Sequence, residues 1–492
     1  MTELPVLYQN HPQFKAVYES ASAMGKVTVS GIIGSKHSFL VRSIFEQHKK
    51  TVLWVLSDRE EAAYFFNDLE VLSSQAPLFF PSSYRRPYSN EETDNANVLL
   101  RAETLQQLKE QKQQLVVTYP EALFEKVLTA KALQSKTLNI QIGDKLSIDF
   151  VNETLFDFGF NRVDFVSEPG EFAVRGGILD VHSFSNDHPF RIEFFGDEID
   201  TIRSFDVTTQ RSIGSLNAIK VLANIEQKTE KETRQSLLSF LDKDTLVCVQ
   251  NEALICAELD KLFDHADKIH KGLEGEVRRL PPDELFIKAH AFSEGLSAHK
   301  SIHFSGSNSE NTIAFNCQPQ PHFKRKFDWF VEHLSENTDQ QRTNHIFCAS
   351  ETQKERLLQI IEELAPNIAF SCWVAPLYQG FIDEDEQLVC YTDHQLFERY
   401  HKFRLKNGYT KKQAISLKAL TQLEVGDYVT HIDHGIGTFG GLQRIDVEGK
   451  TQEAIKLFYG DRDILYVSIH SLHKISKYNG KDGAAPKVYK LG

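Results

Sequence analysis

The sequence predicts a multidomain α/β chain, and three stretches of it carry this prediction. Residues 1–142 alternate short apolar runs with helical patterns, which is typical of a parallel α/β domain. Residues 171–212 alternate apolar and polar positions between turn residues, which predicts an inserted antiparallel β domain. From Leu423 onward, short strand patterns separated by glycine-containing turns predict a small SH3-like β barrel.

The predicted domains together account for all 492 residues. A parallel α/β domain is predicted in two halves, at 1–142 and 223–315, with the inserted β-rich domain at 143–222 between them. It is followed by a small α/β domain of unassigned role at 316–405, a basic linker at 406–422, the barrel at 423–480 and a tail at 481–492.

Composition and charge exclude several classes of protein. The formal net charge of −13 argues against a surface that binds nucleic acid over its whole area. The 6 cysteines include no CxxC pair, so we expect buried free thiols and no metal site. No apolar run approaches membrane-spanning length, and the N-terminus lacks a signal-peptide pattern. We therefore expect a cytoplasmic protein with no membrane segment.

The first domain is predicted to contain a degenerate P-loop between its first two strands. The pattern GxxxxGK[ST] puts Gly31 and Ser38 in register, but Lys36 replaces the second glycine and His37 replaces the lysine. A side chain at position 36 hinders the backbone from wrapping a phosphate, and a neutral histidine cannot replace the ammonium group. We expect a turn that packs strand against helix, with no nucleotide hydrolysis and no cofactor. The parallel strands themselves are predicted at 27–29, 51–56 and 115–118.

The inserted domain is predicted to be a three-stranded meander. Residues 172–184 form a first strand bent at Gly176-Gly177, residues 190–195 form the second, and residues 199–205 form the third.

Alternation along the second strand predicts two unlike faces. One face carries apolar side chains that belong in the core, and the other carries Arg191, Glu193 and Phe195. Arginine beside an exposed aromatic side chain is a common composition of protein-binding hot spots. The alternation leaves open whether Phe195 is exposed or covered by another part of its own domain.

The same stretch carries a resemblance to a known family. The strings RGGILD at 175–180, RIEFFGDEI at 191–199, and FD at 205–206 followed by TQR at 209–211 resemble the second domain shared by the excinuclease component UvrB and the transcription-repair coupling factors. In that family the domain docks the excinuclease component UvrA. The resemblance implies that Arg175, Arg191 and Phe195 bind it here.

The resemblance also bears on DNA binding. UvrB has a tyrosine-rich hairpin that clamps single-stranded DNA, whereas residues 79–88 here read FFPSSYRRPY and run into a polar stretch. Arg85 and Arg86 are therefore expected to be solvated or interface charges, and DNA binding is expected to be weak at most.

Residues 316–422 offer no visible chemistry. A helix is predicted at 327–334, a strand at 345–349, and a helix from Thr352 capped by Ser350. The acidic run at 383–386 precedes an apolar strand, so we expect a solvated loop. The basic residues of the linker are expected to be solvated.

The C-terminal barrel carries a second resemblance. Strands are predicted at 427–432, 436–439, 442–446, 453–459 and 464–467, with a turn at Gly440-Gly441. The string VGDYVTHIDHGIG at 425–437 resembles the polymerase-interacting module shared by the coupling factors and the CarD-type regulators. In the family, a strand of the RNA polymerase β subunit pairs beside the segment that corresponds to 441–446.

The polymerase contact is expected at Leu442, Arg444 and Ile445. Alternation puts Leu442 and Arg444 on one face, and Ile445 on the other with Gln443. Ile445 corresponds to an apolar contact position in the family. From the residues alone it could equally be ordinary hairpin packing; the resemblance favours contact.

The resemblance covers essentially the whole chain and implies an adaptor that links stalled RNA polymerase to excision repair. The family continues into an ATP-driven DNA translocase motor, and we expect this chain to be the N-terminal portion without it. Two alternatives remain: a UvrB-type ATPase that binds damaged DNA, and a CarD-like transcription regulator. His37 and the missing hairpin argue against the first, and the RGGILD string argues against the second.

Overall fold

The structure is a computed structural model. It describes residues 7–8, 11–83, 88, 95–207, 209–224, 233–272, 280–305, 311–399, 425–431, 434–447, 450–460, 463–468 and 475–477. Arg85, Arg86, the linker at 406–422 and the tail at 481–492 lie outside the described residues. Within the described part of the chain, no helix has the length and apolar character needed to span a membrane.

The strands are, in chain order, β1 (Lys26–Ser30), β2 (Val52–Val55), β3 (Leu78–Phe79), β4 (Leu115–Thr118), β5 (Val127–Leu128), β6 (Thr137–Gln141), β7 (Asn161–Arg162), β8 (Glu171–Arg175), β9 (Ile178–Val181), β10 (Phe190–Phe195), β11 (Glu198–Phe205), β12 (Ser212–Leu216), β13 (Ala218–Leu222), β14 (Arg234–Gln235), β15 (Leu246–Gln250), β16 (Lys300–Phe304), β17 (Thr312–Ala314), β18 (Cys317–Pro319), β19 (Thr343–Cys348), β20 (Ser371–Val374), β21 (Phe381–Asp383), β22 (Leu388–Thr392), β23 (Tyr428–His431), β24 (Gly435–Val447), β25 (Lys450–Phe458), β26 (Ile464–Ser468) and β27 (Ile475–Lys477).

The helices are α1 (Pro12–Met24), α2 (Lys36–His48), α3 (Arg59–Leu72), α4 (Asn95–Glu110), α5 (Pro120–Phe124), α6 (Ala130–Ser135), α7 (Ile148–Asp157), α8 (Leu237–Phe240), α9 (Glu252–Gly272), α10 (Pro282–Leu285), α11 (Ala289–Ser297), α12 (Phe327–Asp339), α13 (Glu351–Leu364) and α14 (Asp393–Leu396).

The chain divides into two compact units. One comprises Met1–Ala132 and Lys228–Lys406, and the other comprises Leu133–Gln227 and Asn407–Gly492. The first segment ends before the boundary predicted at 142, because β6 pairs with β13 and so belongs with the inserted domain. Residues 316–405 fall within the first unit.

A seven-stranded parallel sheet forms the centre of the first unit. Its order is β17-β1-β16-β15-β2-β4-β3, and all neighbouring strands run parallel. Every residue of β2 and β4 is buried, as expected of strands covered on both faces. Because β15 and β16 lie between β1 and β2, the sheet is built from two distant parts of the chain. The predicted parallel α/β fold is confirmed.

A six-stranded sheet forms the inserted domain in the second unit, in the order β12-β11-β10-β9-β8-β7. Arg175 pairs with Ile178, so β8 and β9 form a hairpin across Gly176-Gly177. The prediction of one bent strand was wrong because Gly176, at a φ of +62°, allows a two-residue reversal that residues with a Cβ rarely adopt.

The core of this sheet lies on the face of Ile192. Ile192 is fully buried, and on the same side the ring of Phe156 in α7 meets the ring of Phe172 edge-on, with centroids 5.1 Å apart. Val151 and Leu155 of α7 are also buried. The helix therefore covers this face of the sheet, whereas on the face of Arg191 a smaller cluster of Val166, Ala173 and Phe205 covers only part of the sheet.

A five-stranded sheet, β18-β21-β22-β19-β20, also belongs to the first unit, and α12 and α13 contribute to its core. The predicted cap is confirmed, since the Ser350 hydroxyl accepts a hydrogen bond from the Gln353 amide over 3.3 Å. The acidic run was misinterpreted. Asp383 ends β21 and is fully buried, because β21 and β22 form a hairpin whose turn contains only the later residues of the run.

The C-terminal domain is a five-stranded antiparallel sheet in the order β26-β25-β24-β23-β27. Val429, Leu457 and Val467 are among its core residues. The predicted turn at Gly440-Gly441 is a β-bulge inside the single long strand β24, where the register with β25 shifts between Phe439 and Leu442.

Candidate functional site

Two arginines surround one buried carboxylate on the face of the six-stranded sheet opposite Ile192. Arg191 in β10 donates from Nε to Oδ1 of Asp180 over 2.7 Å and from Nη2 to Oδ2 over 2.8 Å. Arg175, at the end of β8, donates from Nη2 to the same Oδ2 and from Nη1 to the Asp164 carbonyl over 2.8 Å. The Asp180 side chain is fully buried between them.

Each of the two guanidinium groups lies over an aromatic ring. The Arg191 guanidinium lies 4.6 Å from the ring centroid of Phe205, and that of Arg175 lies 5.1 Å from Phe165. Hydrogen bonds to Asp180 raise the pKa of Arg191 above its ordinary value. The two arginines are therefore held as oriented cations.

Phe195 lies at the outer end of the same strand, where it is 84% exposed. Glu193, between it and Arg191 in sequence, accepts hydrogen bonds from Thr201 and Arg203 across the strand pair. No described part of the chain covers the phenyl ring, so exposure prevails over burial within the domain.

This arrangement suits a partner surface that carries both carboxylates and an apolar pocket. Two guanidinium groups against one carboxylate leave an excess of one positive charge, and the side chains of Arg175 and Arg191 remain 37% and 19% exposed. Charge-assisted hydrogen bonds from the arginines would fix the orientation of the partner's carboxylates, and the exposed phenyl ring would supply apolar contact. We call Arg175, Asp180, Arg191 and Phe195 the arginine face.

Sequence reasoning missed the central role of Asp180. The available signal was a single acidic residue in the apolar strand ILDV, next to two strands that carry arginine. Asp180 lies close to Arg175 only because β8 pairs with β9. A bend at Gly176-Gly177 does not predict that pairing.

A second candidate surface is the open edge of β24. Residues 435–438 pair with β23, and residues 438–447 pair on the opposite edge with β25. In the part of the chain that the structure describes, no strand pairs with the β23-side edge of 442–447. An open edge of this kind is a template for strand addition by a partner.

The three residues predicted to contact the polymerase all lie on this part of β24. Their side chains lie outside the described residues. In the backbone register, Leu442, Arg444 and Ile445 pair with Ile455, Glu453 and Gln452 of β25.

The degenerate phosphate loop, residues 31–38, connects β1 to α2. Lys36 is fully buried, and its Nζ lies 2.6 Å from Oδ2 of Asp383. Burial lowers the pKa of His37 to about 4, so the ring is neutral at pH 7, and its Nδ1 lies 2.9 Å from the Gly34 carbonyl oxygen. Ser38 donates to the buried carboxylate of Asp68 over 2.9 Å.

We expect the chain to bind no nucleotide. The loop has no free ammonium group for the terminal phosphates, because Lys36 pairs with Asp383 and position 37 is a neutral histidine. The variant His37→Lys should also bind none, since the side chain of Lys36 still stands where a glycine is needed. Titration calorimetry with ATP and Mg²⁺ measures this, and saturable heat from the unmodified chain would contradict it.

Asp68 is expected to make the stability of the first unit depend on pH. Burial raises its pKa from 3.8 to about 7. At a pH between these two pKa values, folding is accompanied by uptake of a proton on Asp68. The contribution of Asp68 to stability is therefore complete below the unfolded-state pKa, and it is lost as the pH rises through the folded-state pKa. The thermal midpoint of Asp68→Asn should fall less than that of the unmodified chain between about pH 5 and pH 8. Parallel curves for the two proteins would refute this.

Comparisons with known proteins match both candidate surfaces. Residues 138–226 match the UvrB interaction domain, and residues 423–479 match the CarD-like/TRCF RID domain. The arginine face lies within the first match, and the open edge of β24 lies within the second.

Curated relatives match along most of the chain. The transcription-repair-coupling factor of Haemophilus influenzae is 27% identical over 94% of this chain and 46% of its own length. That of Bacillus subtilis is 23% identical over 100% of this chain and 48% of its own length. The chain thus spans about half the length of these relatives, and the resemblance predicted from the sequence is confirmed.

Proposed function

We propose that this chain, as a relative of the transcription-repair coupling factors, is a non-catalytic adaptor in transcription-coupled nucleotide excision repair. It links stalled RNA polymerase to UvrA through two separate surfaces. The observation that carries the proposal is the arginine face: a phenyl ring that is 84% exposed lies on the same strand as Arg191, which shares one buried carboxylate with Arg175, within the residues that match the UvrB interaction domain.

The arginine face is the proposed binding site for UvrA. Arg175 and Arg191 are oriented by Asp180, so little side-chain entropy remains to be lost when a partner's carboxylates bind. Phe195 is proposed as the apolar anchor, because a ring this exposed contributes little to folding and has its apolar area free for a partner.

The open edge of β24 is the proposed binding site for the β subunit of RNA polymerase. A strand of the partner would pair beside residues 442–447 and extend the five-stranded sheet. Leu442, Arg444 and Ile445 are the proposed contact residues, because they lie on the segment of β24 beside which the partner strand would pair.

The proposal includes a division of labour along the chain. Apart from the end of the first segment, which lies at 132, the domain boundaries are proposed as given by the sequence, with 316–405 as a small α/β domain between the two partner-binding regions. DNA is proposed to bind weakly at most, and ATP-driven translocation is proposed to belong to parts of the coupling factors outside this chain. The cytoplasm is the proposed location, since both partners act there.

A paired binding assay tests the function. Immobilised chain is incubated with purified UvrA and, separately, with a fragment of the β subunit of RNA polymerase. Binding of both partners, singly and together, is expected because the two surfaces are distinct. Failure to bind UvrA would remove the adaptor role, and polymerase binding alone would favour the CarD-like regulator.

A further inference from the structure

The degenerate phosphate loop is filled by the backbone of the same chain. The Ser35 amide donates to the Gln379 carbonyl over 3.0 Å, and the Gln379 amide donates to the Ser35 hydroxyl over 3.0 Å. Gln379 belongs to residues 377–383, the plug segment, which leads into and includes β21 of the five-stranded sheet. In a P-loop the corresponding amides hold phosphate oxygens. Here a peptide carbonyl takes the acceptor role.

The close approach of the plug segment depends on a glycine. A Cβ at Gly34 would lie 2.9 Å from the Gln379 carbonyl oxygen and 3.0 Å from that of Gly380. Gly31 is crowded in the same way, since its Cβ would lie 2.0 Å from the Phe315 carbonyl oxygen. The small residues that let a P-loop approach phosphate therefore admit protein backbone in this chain.

A carboxylate of α3 holds the near end of the plug segment. Oδ1 of Asp68 accepts from the Tyr378 amide over 2.6 Å, and Oδ2 accepts from the Ser38 hydroxyl over 2.9 Å. The rings of Tyr378 and Tyr64 stack with centroids 4.2 Å apart. Ser38, which in a P-loop would hold the metal ion of the nucleotide, is thus bonded to a carboxylate of this chain.

A buried ion pair holds the far end. Lys36 and Asp383 are both 0% exposed, with Nζ 2.6 Å from Oδ2, and the Tyr8 hydroxyl donates to the same carboxylate oxygen. The Lys36 ammonium also lies 3.4 Å from Sγ of Cys317. The lysine that sits one residue away from the P-loop position is therefore bonded to the plug segment and its surroundings.

We propose that the degenerate phosphate loop is a docking socket for the plug segment, which fastens the five-stranded sheet to the seven-stranded sheet. The socket binds peptide backbone with the amide and hydroxyl groups that a P-loop uses for phosphate and metal. Nucleotide is excluded for as long as the segment is in place. This assigns the 316–405 region a mechanical role that does not depend on either partner-binding surface.

Two matched glycine variants test the socket. Gly34→Ala adds a methyl group that collides with the plug segment, whereas Gly25→Ala adds one at a similarly left-handed φ of +79° with nothing within 4 Å. Hydrogen exchange should be about tenfold or more faster at the Tyr378 and Gln379 amides in Gly34→Ala than in Gly25→Ala. Equal exchange at these amides in the two variants would overturn the proposal.

The ion pair supplies a second test, which remains valid if Gly34→Ala fails to fold. Thermal unfolding is followed by pulsed hydrogen exchange, which reports on each sheet separately. In Lys36→Met and in Asp383→Leu the five-stranded sheet should unfold at a lower temperature than the seven-stranded sheet, because one buried charge is left unpaired. The double variant Lys36→Met/Asp383→Leu should bring the two midpoints back together. A double variant no better than the worse single variant, or two sheets that already unfold separately in the unmodified chain, would overturn the proposal.

Discussion

Phe195→Ala should weaken binding of UvrA by about thirtyfold, which corresponds to about 2 kcal/mol. The phenyl ring is 84% exposed, so its apolar area is available to a partner and contributes little to the folded chain. For the same reason the free energy of unfolding should change by no more than about 0.5 kcal/mol. Surface plasmon resonance measures the affinity, and a thermal melt measures the stability.

Phe150→Ala is the matched control for this variant. Phe150 is 50% exposed on α7, the helix that covers the opposite face of the same sheet. The Phe150→Ala variant removes the same type of side chain from the same domain, and it should leave the affinity for UvrA unchanged. Equal losses for both variants would show that the arginine face is not the site. If Phe195→Ala unfolded the domain, the ring would be part of the core.

Arg191→Ala should cause a loss of binding similar to that of Phe195→Ala, for a different reason. It removes a cation and leaves the buried carboxylate of Asp180 with Arg175 as its remaining arginine partner. Asp180→Asn should keep both cations but loosen their orientation, so it should weaken binding less than Arg191→Ala does. Dependence of the affinity on salt concentration separates the two effects, because removal of a charge reduces that dependence.

Ile445→Arg should reduce the affinity for the β subunit of RNA polymerase by about thirtyfold or more, while UvrA still binds. The open edge of β24 at 442–447 is where a partner strand would pair, and an apolar position within it would become charged. The measurement is a paired assay of the variant against both partners.

Ile464→Arg is the corresponding control. Ile464 is 42% exposed on β26, a strand that β25 separates from β24, so the same substitution is made in the same sheet away from the open edge. It should leave polymerase binding intact. Unchanged affinity in Ile445→Arg would remove this edge from consideration, and loss of both partners would indicate misfolding.

Local patterns in the sequence were sufficient for several elements. The stretches at 27–29, 51–56 and 115–118 contain strands of the parallel sheet, because mostly apolar side chains on both faces of a strand suit a strand that is covered on both sides. The period of two along 190–195 separated Ile192 from Arg191 correctly, because successive side chains of a strand point to opposite faces. Ser350 was recognisable as a helix cap because its bond to Gln353 spans only three residues.

The glycine pairs show where local patterns stop being informative. Gly176-Gly177 is a hairpin turn and Gly440-Gly441 is a bulge inside one strand, whereas the sequence predicted a bend and a turn. A glycine permits each of these conformations, and the choice among them depends on which strand lies alongside.

The sequence by itself determined the fold class, the family resemblance and the decay of the phosphate loop, because each of these depends on residues close together in the chain. Tertiary structure alone decided the partners of buried charges. Asp180 joins Arg175 and Arg191 because three strands meet in one register, and Asp383 reaches Lys36 although the two are far apart in sequence. The free energy cost of burying an unpaired charge requires that a buried ion have a counter-ion, but it does not determine which residue supplies it. The folded chain determines which residue it is.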